Sequence, residues 1–216
     1  MKSDDEVKRD VEAELKWNPQ INEIDIAVKV NAGEVTLTGF TGSYYEKHQA
    51  EVIGRRVAGV MAIANDIQVK PAAGAPSDPE IARAALTALQ FALPTTYEHI
   101  KPTVAQGRVT LEGELEWQYL REKAENAIRH LDGVINVVNS IRVKPRVAPV
   151  DIKHRIEDAF RRIAEVDAMQ ISVDADGSEV TLRGEVRSWA ERDQAQQTAW
   201  SAPGVSNVKN TLTVRT

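Results

Sequence analysis

The side chains most able to do chemistry in this sequence are histidines and carboxylates, and their spacing favours no reaction. Cysteine is absent, which excludes a thiolate zinc site, a disulfide framework and a cysteine nucleophile. No phosphate-binding loop or nucleophile elbow occurs. We therefore predict that the protein is not an enzyme and holds no metal or cofactor. The four histidines stand far apart and at no metal-ligand spacing: His48, His99, His130 and His154.

Nucleic acid is also disfavoured as a partner. Residues 39–42 read GFTG, the glycine spacing that clamps nucleotides in KH domains. The corresponding loops after Gly113 and Gly184 continue with acidic residues instead. The formal net charge is −5, without the basic patch that phosphate-backbone binding requires. The sequence thus predicts no nucleic-acid role.

One pattern occurs three times along the chain, in residues 33–70, 107–144 and 177–215. In each copy two glycines stand 20 residues apart (59−39, 133−113 and 204−184). A period this long indicates tandem small domains. We expect a first domain at 1–70, a linker at 71–77, a second domain at 78–145, a linker at 146–150 and a third domain at 151–216. The glycines predicted to be structural are Gly39, Gly59, Gly113, Gly133, Gly184 and Gly204.

Hydrophobic periodicity gives the same order of elements in each copy. Val7, Val11 and Leu15 mark one face of a first helix, which is followed by two alternating strands, a second helix and a last strand. The predicted fold class is α+β: three αββαβ units, each a three-stranded mixed sheet with two helices on one face. Pro102 falls in the first strand of the second unit and places that strand at a sheet edge. Asp151 is expected to cap the first helix of the third unit, and the second glycine of each pair to cap the second helix.

Aromatic and apolar side chains gather where the second helix of each unit begins, a region we call the aromatic corner. Rings there suit the headgroup region of a bilayer, and they equally suit a protein interface or a lid over a small core. These alternatives stay open at the level of sequence. The candidate contact residues are Tyr44 and Tyr45 in the first unit, Trp117, Tyr119 and Leu120 in the second, and Trp189 in the third.

The repeated motif resembles the BON domain (bacterial OsmY and nodulation). Residues 35–39 read VTLTG, Gly59-Val60 follows, and residues 65–67 read NDI; both other units carry equivalents. The resemblance implies a non-catalytic, transport-associated binding module of osmotic stress. It would contact phospholipid membrane surfaces or envelope-associated partners. The alternative is a structural or adaptor protein that binds another protein or itself, with no lipid role.

The sequence also sets expectations about location. Its N-terminus has no apolar signal segment, and no stretch is long and apolar enough to form a transmembrane span. As the sequence stands we expect a cytoplasmic protein, or a periplasmic one if a leader was removed before Met1. The oligomeric state is left open.

Overall fold

The computed structural model describes residues 2–19, 21, 25–144, 151–163 and 170–215. The expected linker at 146–150 lies outside these residues, as does Ile24, which the alternating pattern of Ile24, Ile26, Val28 and Val30 predicts to lie in the first strand. By its internal contacts the chain divides into two compact parts, one of residues 2–113 and 122–141, the other of residues 114–121 and 142–215. The helices are α1 (Asp4–Trp17), α2 (Tyr44–Arg56), α3 (Asp78–Ala92), α4 (Gln118–Arg129), α5 (Ile152–Arg162) and α6 (Trp189–Trp200). The strands are β1 (Ile26–Asn31), β2 (Glu34–Thr41), β3 (Ala62–Val69), β4 (Ile100–Ala105), β5 (Arg108–Leu115), β6 (Asn136–Val143), β7 (Ile171–Asp176), β8 (Glu179–Val186), β9 (Asn207–Asn210) and β10 (Thr213–Val214).

Each of the three αββαβ units, called repeats 1, 2 and 3 from here on, forms its own mixed sheet. This confirms the predicted architecture. In repeat 1 the order is β1-β2-β3, with β1 antiparallel and β3 parallel to the central strand. Repeat 2 has the order β4-β5-β6, so β4, which contains Pro102, lies at the edge as predicted. In repeat 3 both β9 and β10 run parallel to β8, so they are two halves of the last strand.

The core of each repeat lies between its sheet and its two helices. The i, i+4, i+8 stripe of the first helix is buried in all three copies because it faces this core. Ala50, Ala124 and Ala195, at one position of the second helix, are each 0% exposed; the small side chain lets that helix approach closely. The stripe residues are Val7, Val11 and Leu15; Ile81, Ala85 and Leu89; and Ile152, Ile156 and Phe160.

A glycine at the same place in each central strand permits a close backbone contact. Gly39 has a φ of +124° and Gly113 a φ of +145°. A Cβ atom on Gly39 would lie 1.8 Å from the carbonyl oxygen of Asp25, and one on Gly113 would lie 2.0 Å from that of His99. No larger residue fits without moving the backbone, which explains why this glycine recurs.

Two capping predictions need correction. Helix α2 ends at Arg56 with Val57 as its C-cap, so Gly59, although its φ is +98°, stands two residues beyond the cap. The extended backbone of Val57 ends the helix before the chain reaches the glycine. Asp151 has a left-handed backbone with a φ of +54°, and its side chain makes no capping hydrogen bond. Side-chain capping requires extended geometry at that position.

The first helix of repeats 1 and 2 holds the hairpin that follows it. The carboxylate of Asp4 accepts hydrogen bonds from the backbone N–H groups of Ala32 (2.8 Å) and Gly33 (3.0 Å). Asp78 accepts from Gln106 (2.7 Å) and from the following glycine (2.9 Å). Such charge-assisted bonds are among the stronger ones in proteins, and they fix the hairpin relative to the first helix.

An asparagine in the last strand fixes the second helix against the sheet. The Asn65 side-chain amide donates to the carbonyl oxygen of Lys47 (2.9 Å) and to the Glu51 carboxylate (3.3 Å), and its oxygen accepts from the N–H of Ile67 (3.3 Å). This is the asparagine of the repeated motif. The equivalent bonds run from Asn139 to Glu125 (3.1 Å) and from Asn210 to Gln196 (2.9 Å).

Candidate functional site

The second helix of repeats 1 and 3 begins with a polar cap. Ser43 Oγ accepts from the N–H of Glu46 (3.2 Å), and Ser188 Oγ accepts from that of Glu191 (3.1 Å). The glutamates reach back: Glu46 accepts from the N–H of Gly42 (3.3 Å) and Glu191 from that of Arg187 (2.7 Å). This reciprocal arrangement satisfies N–H groups that a helix start otherwise leaves without partners.

Repeat 2 replaces this cap with apolar and aromatic side chains. Trp117 occupies the position of Ser43 (43+74), and Leu120 occupies that of Glu46 (46+74). Neither side chain can accept a hydrogen bond from a backbone N–H. Trp117 is 36% exposed and Tyr119, between them, is 61% exposed, while Leu120 is half-buried. Repeat 2 therefore has exposed aromatic rings at the start of its second helix, where repeats 1 and 3 have a polar cap.

The corner of repeat 1 is occupied by repeat 2. The ring of Tyr45 lies 4.2 Å from that of His130, centroid to centroid, at an interplanar angle of 32°. The backbone of Val137 makes a hydrogen bond to the phenol of Tyr44. Burial, and then the Glu125 carboxylate, raise the pKa of Tyr44 above its ordinary value. Tyr44 and Tyr45 are half-buried and already make a contact between domains.

In repeat 3, the predicted residue Trp189 is the first residue of α6 and is half-buried. The guanidinium of Arg192 lies 5.0 Å from its ring centroid, within the range of a cation–π contact. Arg192 also donates to the carbonyl oxygens of Leu212 and Asn210, each at 3.1 Å. The ring is thus held against an arginine that is itself fixed to the last strand.

The six predicted residues therefore have three different environments. Two contact a neighbouring repeat and one is held by an arginine. Trp117 and Tyr119, together with Leu120, form the corner whose rings are most exposed to solvent.

The two most exposed aromatic side chains among the described residues were not predicted from the sequence. Trp17 is 86% exposed and Phe91 is 85% exposed, and they occupy equivalent positions (17+74) at the end of the first helix in repeats 1 and 2. Both lie off the buried i, i+4, i+8 stripe, and this position is the sequence feature that could have predicted their exposure. Repeat 3 has Arg162 there (91+71).

Neither a cluster of metal ligands nor a membrane-spanning helix is found among the described residues. No group of three or more histidines and carboxylates there is arranged to hold a metal ion. Within the same ranges, no helix has the length and apolar character needed to cross a bilayer.

Comparison with known proteins gives the family. The model of the BON domain matches residues 3–71, 77–145 and 150–216. Osmotically-inducible protein Y of Escherichia coli (strain K12) is 28% identical over 149 residues, which are 65% of this chain and 73% of that protein.

Two solved structures of CdsD, a structural protein of the type III secretion system of Chlamydia trachomatis, are also similar, each at 12% identity. The first, its C-terminal domain, covers 100% of both chains with a TM-score of 0.27. The second covers 97% of this chain and 92% of that one with a TM-score of 0.25. Scores this low carry no argument, whereas the family matches span almost all of the sequence, and the chain belongs to the BON domain family.

Proposed function

We propose that this chain is a non-catalytic binding module of the osmotic-stress response, and that the corner of repeat 2 contacts a phospholipid membrane surface. The supporting observation is the exchange of a polar helix cap for Trp117 and Leu120. Replacing a serine cap by a residue that cannot accept a hydrogen bond costs about 1 kcal/mol of stability. Departures from local rules of this kind are expected at functional sites.

A role as a lid over the core is less well supported. Leu111, Ala124 and Ile128 of repeat 2 are each 0% exposed, so that core is closed at its centre. A lid would be buried, yet Tyr119 is 61% exposed. Its exposure is the expected property of a contact residue.

The chemistry of the corner suits a bilayer interface. Tryptophan and tyrosine prefer the headgroup region, where the ring is buried and the polar atom stays hydrated. Arg121 and Lys123 follow on α4 and add cationic groups near anionic lipid. The osmotic-stress assignment is supported by the name of the Escherichia coli relative, osmotically-inducible protein Y.

The test restores the cap. In the double variant Trp117→Ser, Leu120→Glu, we expect binding to anionic vesicles to fall at least about tenfold, since losing the apolar contact of one tryptophan and one leucine corresponds to more than about 1.4 kcal/mol. The unfolding free energy of repeat 2 should rise by about 1 kcal/mol. Sedimentation with vesicles of anionic and of neutral lipid measures the first quantity, and urea denaturation the second.

A matched control separates the corner from exposed apolar surface in general. Met61 is 43% exposed, and Met61→Ser should bind vesicles as the native chain does. Unchanged vesicle binding in the double variant would contradict the lipid proposal. A loss of stability in place of the gain would mean that the rings close the core.

The second candidate is an adaptor role, in which the corner binds protein. The contact of Tyr45 with His130 favours it, because it is a corner of this type packed against another domain. This candidate predicts a specific partner or a self-association that Trp117→Ser, Leu120→Glu abolishes, without vesicle binding at any lipid composition. Analytical ultracentrifugation and affinity capture with the two forms measure it.

A further inference from the structure

Repeat 1 docks on repeat 2 through one face of α2. The ring of Tyr45 contacts that of His130 in a tilted arrangement, and Tyr44 receives a hydrogen bond from the backbone of Val137 on the edge strand β6. The ring of His48 lies one turn along α2, with its centroid 6.4 Å from that of Tyr44. The imidazole of His48 is thus half-buried, close to the tyrosines through which α2 contacts repeat 2.

The charges around His48 already balance one another. On its own helix, Glu51 pairs with Arg55; on α4, Glu125 pairs with Arg129 at 2.9 Å. Each carboxylate also accepts a hydrogen bond from the motif asparagine of its own repeat. The Arg129 side chain is only 14% exposed, so its charge is poorly screened by solvent. A proton on His48 would add a fifth charge to two completed ion pairs.

We propose that the docking of repeat 1 on repeat 2 is acid-sensitive and that protonation of His48 releases it. The geometry carries the proposal: a half-buried imidazole one turn from Tyr44, on the helix whose Tyr45 contacts His130 of the neighbouring repeat. The device goes beyond the proposed lipid or partner contact and does not depend on it.

The direction of the pH dependence follows from linkage. Burial, and next the Arg129 guanidinium, lower the pKa of His48 below its ordinary value of 6.5. In the released state the imidazole regains solvent and its ordinary value, so the released state binds the proton more tightly. The docking free energy is therefore at its full value well above pH 6.5 and weakens as the pH falls through and below that value.

The experiment follows the docking directly in the full chain. The sequence has no cysteine, so Lys29→Cys and Lys101→Cys, at exposed positions of β1 and β4, provide one dye site in each repeat. Single-molecule energy transfer should show a larger released population at pH 5.0 than at pH 7.5, because the pKa of His48 is lower in the docked state than in the released state.

Two variants make the result specific. His48→Gln is polar and cannot be protonated, so its docked population should stay constant over the same pH range. His99→Gln, which changes a histidine in the turn before β4, should respond to acid as the native chain does. An acid response that persists in His48→Gln, or a native chain that shows none, would overturn the proposal. An NMR titration that places the pKa of His48 at or above 6.5 would do the same.

Discussion

Tyr45 and Tyr119 occupy the same position in two copies of one fold, and their environments are opposite. The ring of Tyr45 packs against that of His130 in the next repeat, whereas Tyr119 is 61% exposed. Both lie in the first turn of a helix that packs on its own sheet through a fully buried alanine. The internal fold of a repeat therefore does not determine the role of its corner. The role of a corner depends instead on what packs against it.

The two corners also differ in how their helices begin. Repeat 1 keeps the serine and glutamate cap at Ser43 and Glu46, while repeat 2 has Trp117 and Leu120 at those positions. A corner that is covered by protein retains the stabilising cap. The corner with exposed rings has lost it, which is the pattern expected when contact surface is selected over local stability.

The largest expected effect removes the scaffold that both corners share. Gly39→Ala and Gly113→Ala force a Cβ atom to within 1.8 and 2.0 Å of a carbonyl oxygen. Each should destabilise its own repeat by about 3 kcal/mol or more. Amide hydrogen exchange resolved by repeat measures this.

Gly74→Ala is the matched control, because Gly74 also has a positive φ, of +85°, but nothing lies within 4 Å of its added Cβ atom. It should cost only about 1–2 kcal/mol. Equal effects at Gly74 and Gly113 would show that backbone conformation, and not the close contact, dominates.

The next effect separates the covered ring from the exposed one. Tyr45→Ala removes the ring contact with His130 and should lower the free energy of unfolding of repeats 1 and 2 by about 2 kcal/mol. Tyr119→Ala, at an exposed site, should change it by less than about 0.5 kcal/mol. Urea denaturation of the two variants measures the difference, and equal losses would mean that Tyr119 is also packed.

A smaller effect tests the caps themselves. Ser43→Ala removes the acceptor for the N–H of Glu46 and should cost about 1 kcal/mol. Trp117→Ala, at the equivalent position, has no side-chain cap to lose and should be close to neutral for helix stability. Hydrogen exchange in the first turns of α2 and α4 compares them, and similar losses in both helices would contradict this account.

The smallest effect concerns acid and the first helices. Glu6 accepts hydrogen bonds from Ser3 and Glu80 accepts from Ser77, which hold both carboxyl pKa values below the ordinary 4.5. Since the folded pKa values are lowered, this stabilisation is present above about pH 4.5 and is lost as the pH falls through the folded values. Helix α5 has no acidic residue in its first turn. NMR between pH 6 and 3 should show fraying at the starts of α1 and α3 in this range; Glu6→Gln should abolish the response in α1 alone.

The internal structure of each repeat could be read from the sequence because it depends on local patterns. The stripe of Val7, Val11 and Leu15, the alternating strands and the edge position of Pro102 all follow from periodicity and from proline chemistry. The exposure of the corners could not be read in this way. Tyr45 and Tyr119 have the same local sequence position, and only the neighbour distinguishes them.

Other details failed for identifiable physical reasons. Gly59 was placed at the helix end, but the extended backbone of Val57 ends α2 two residues earlier. The hairpin clamp formed by Asp4 was not foreseen because its partners stand 28 residues away. The exposure of Trp17 and Phe91 was not predicted because the hydrophobic stripe identifies only the buried face of a helix.

The clamp of Asp4 and Asp78 on the hairpin turns also bears on how such repeats can be moved between proteins. The residue that holds each turn stands 28 positions before it, at the first residue of the preceding helix. A segment cut at the start of the first strand would lose its own anchor and leave two turn N–H groups without their acceptor. The smallest transferable segment of repeat 1 or repeat 2 therefore begins at the serine before its first helix, Ser3 or Ser77.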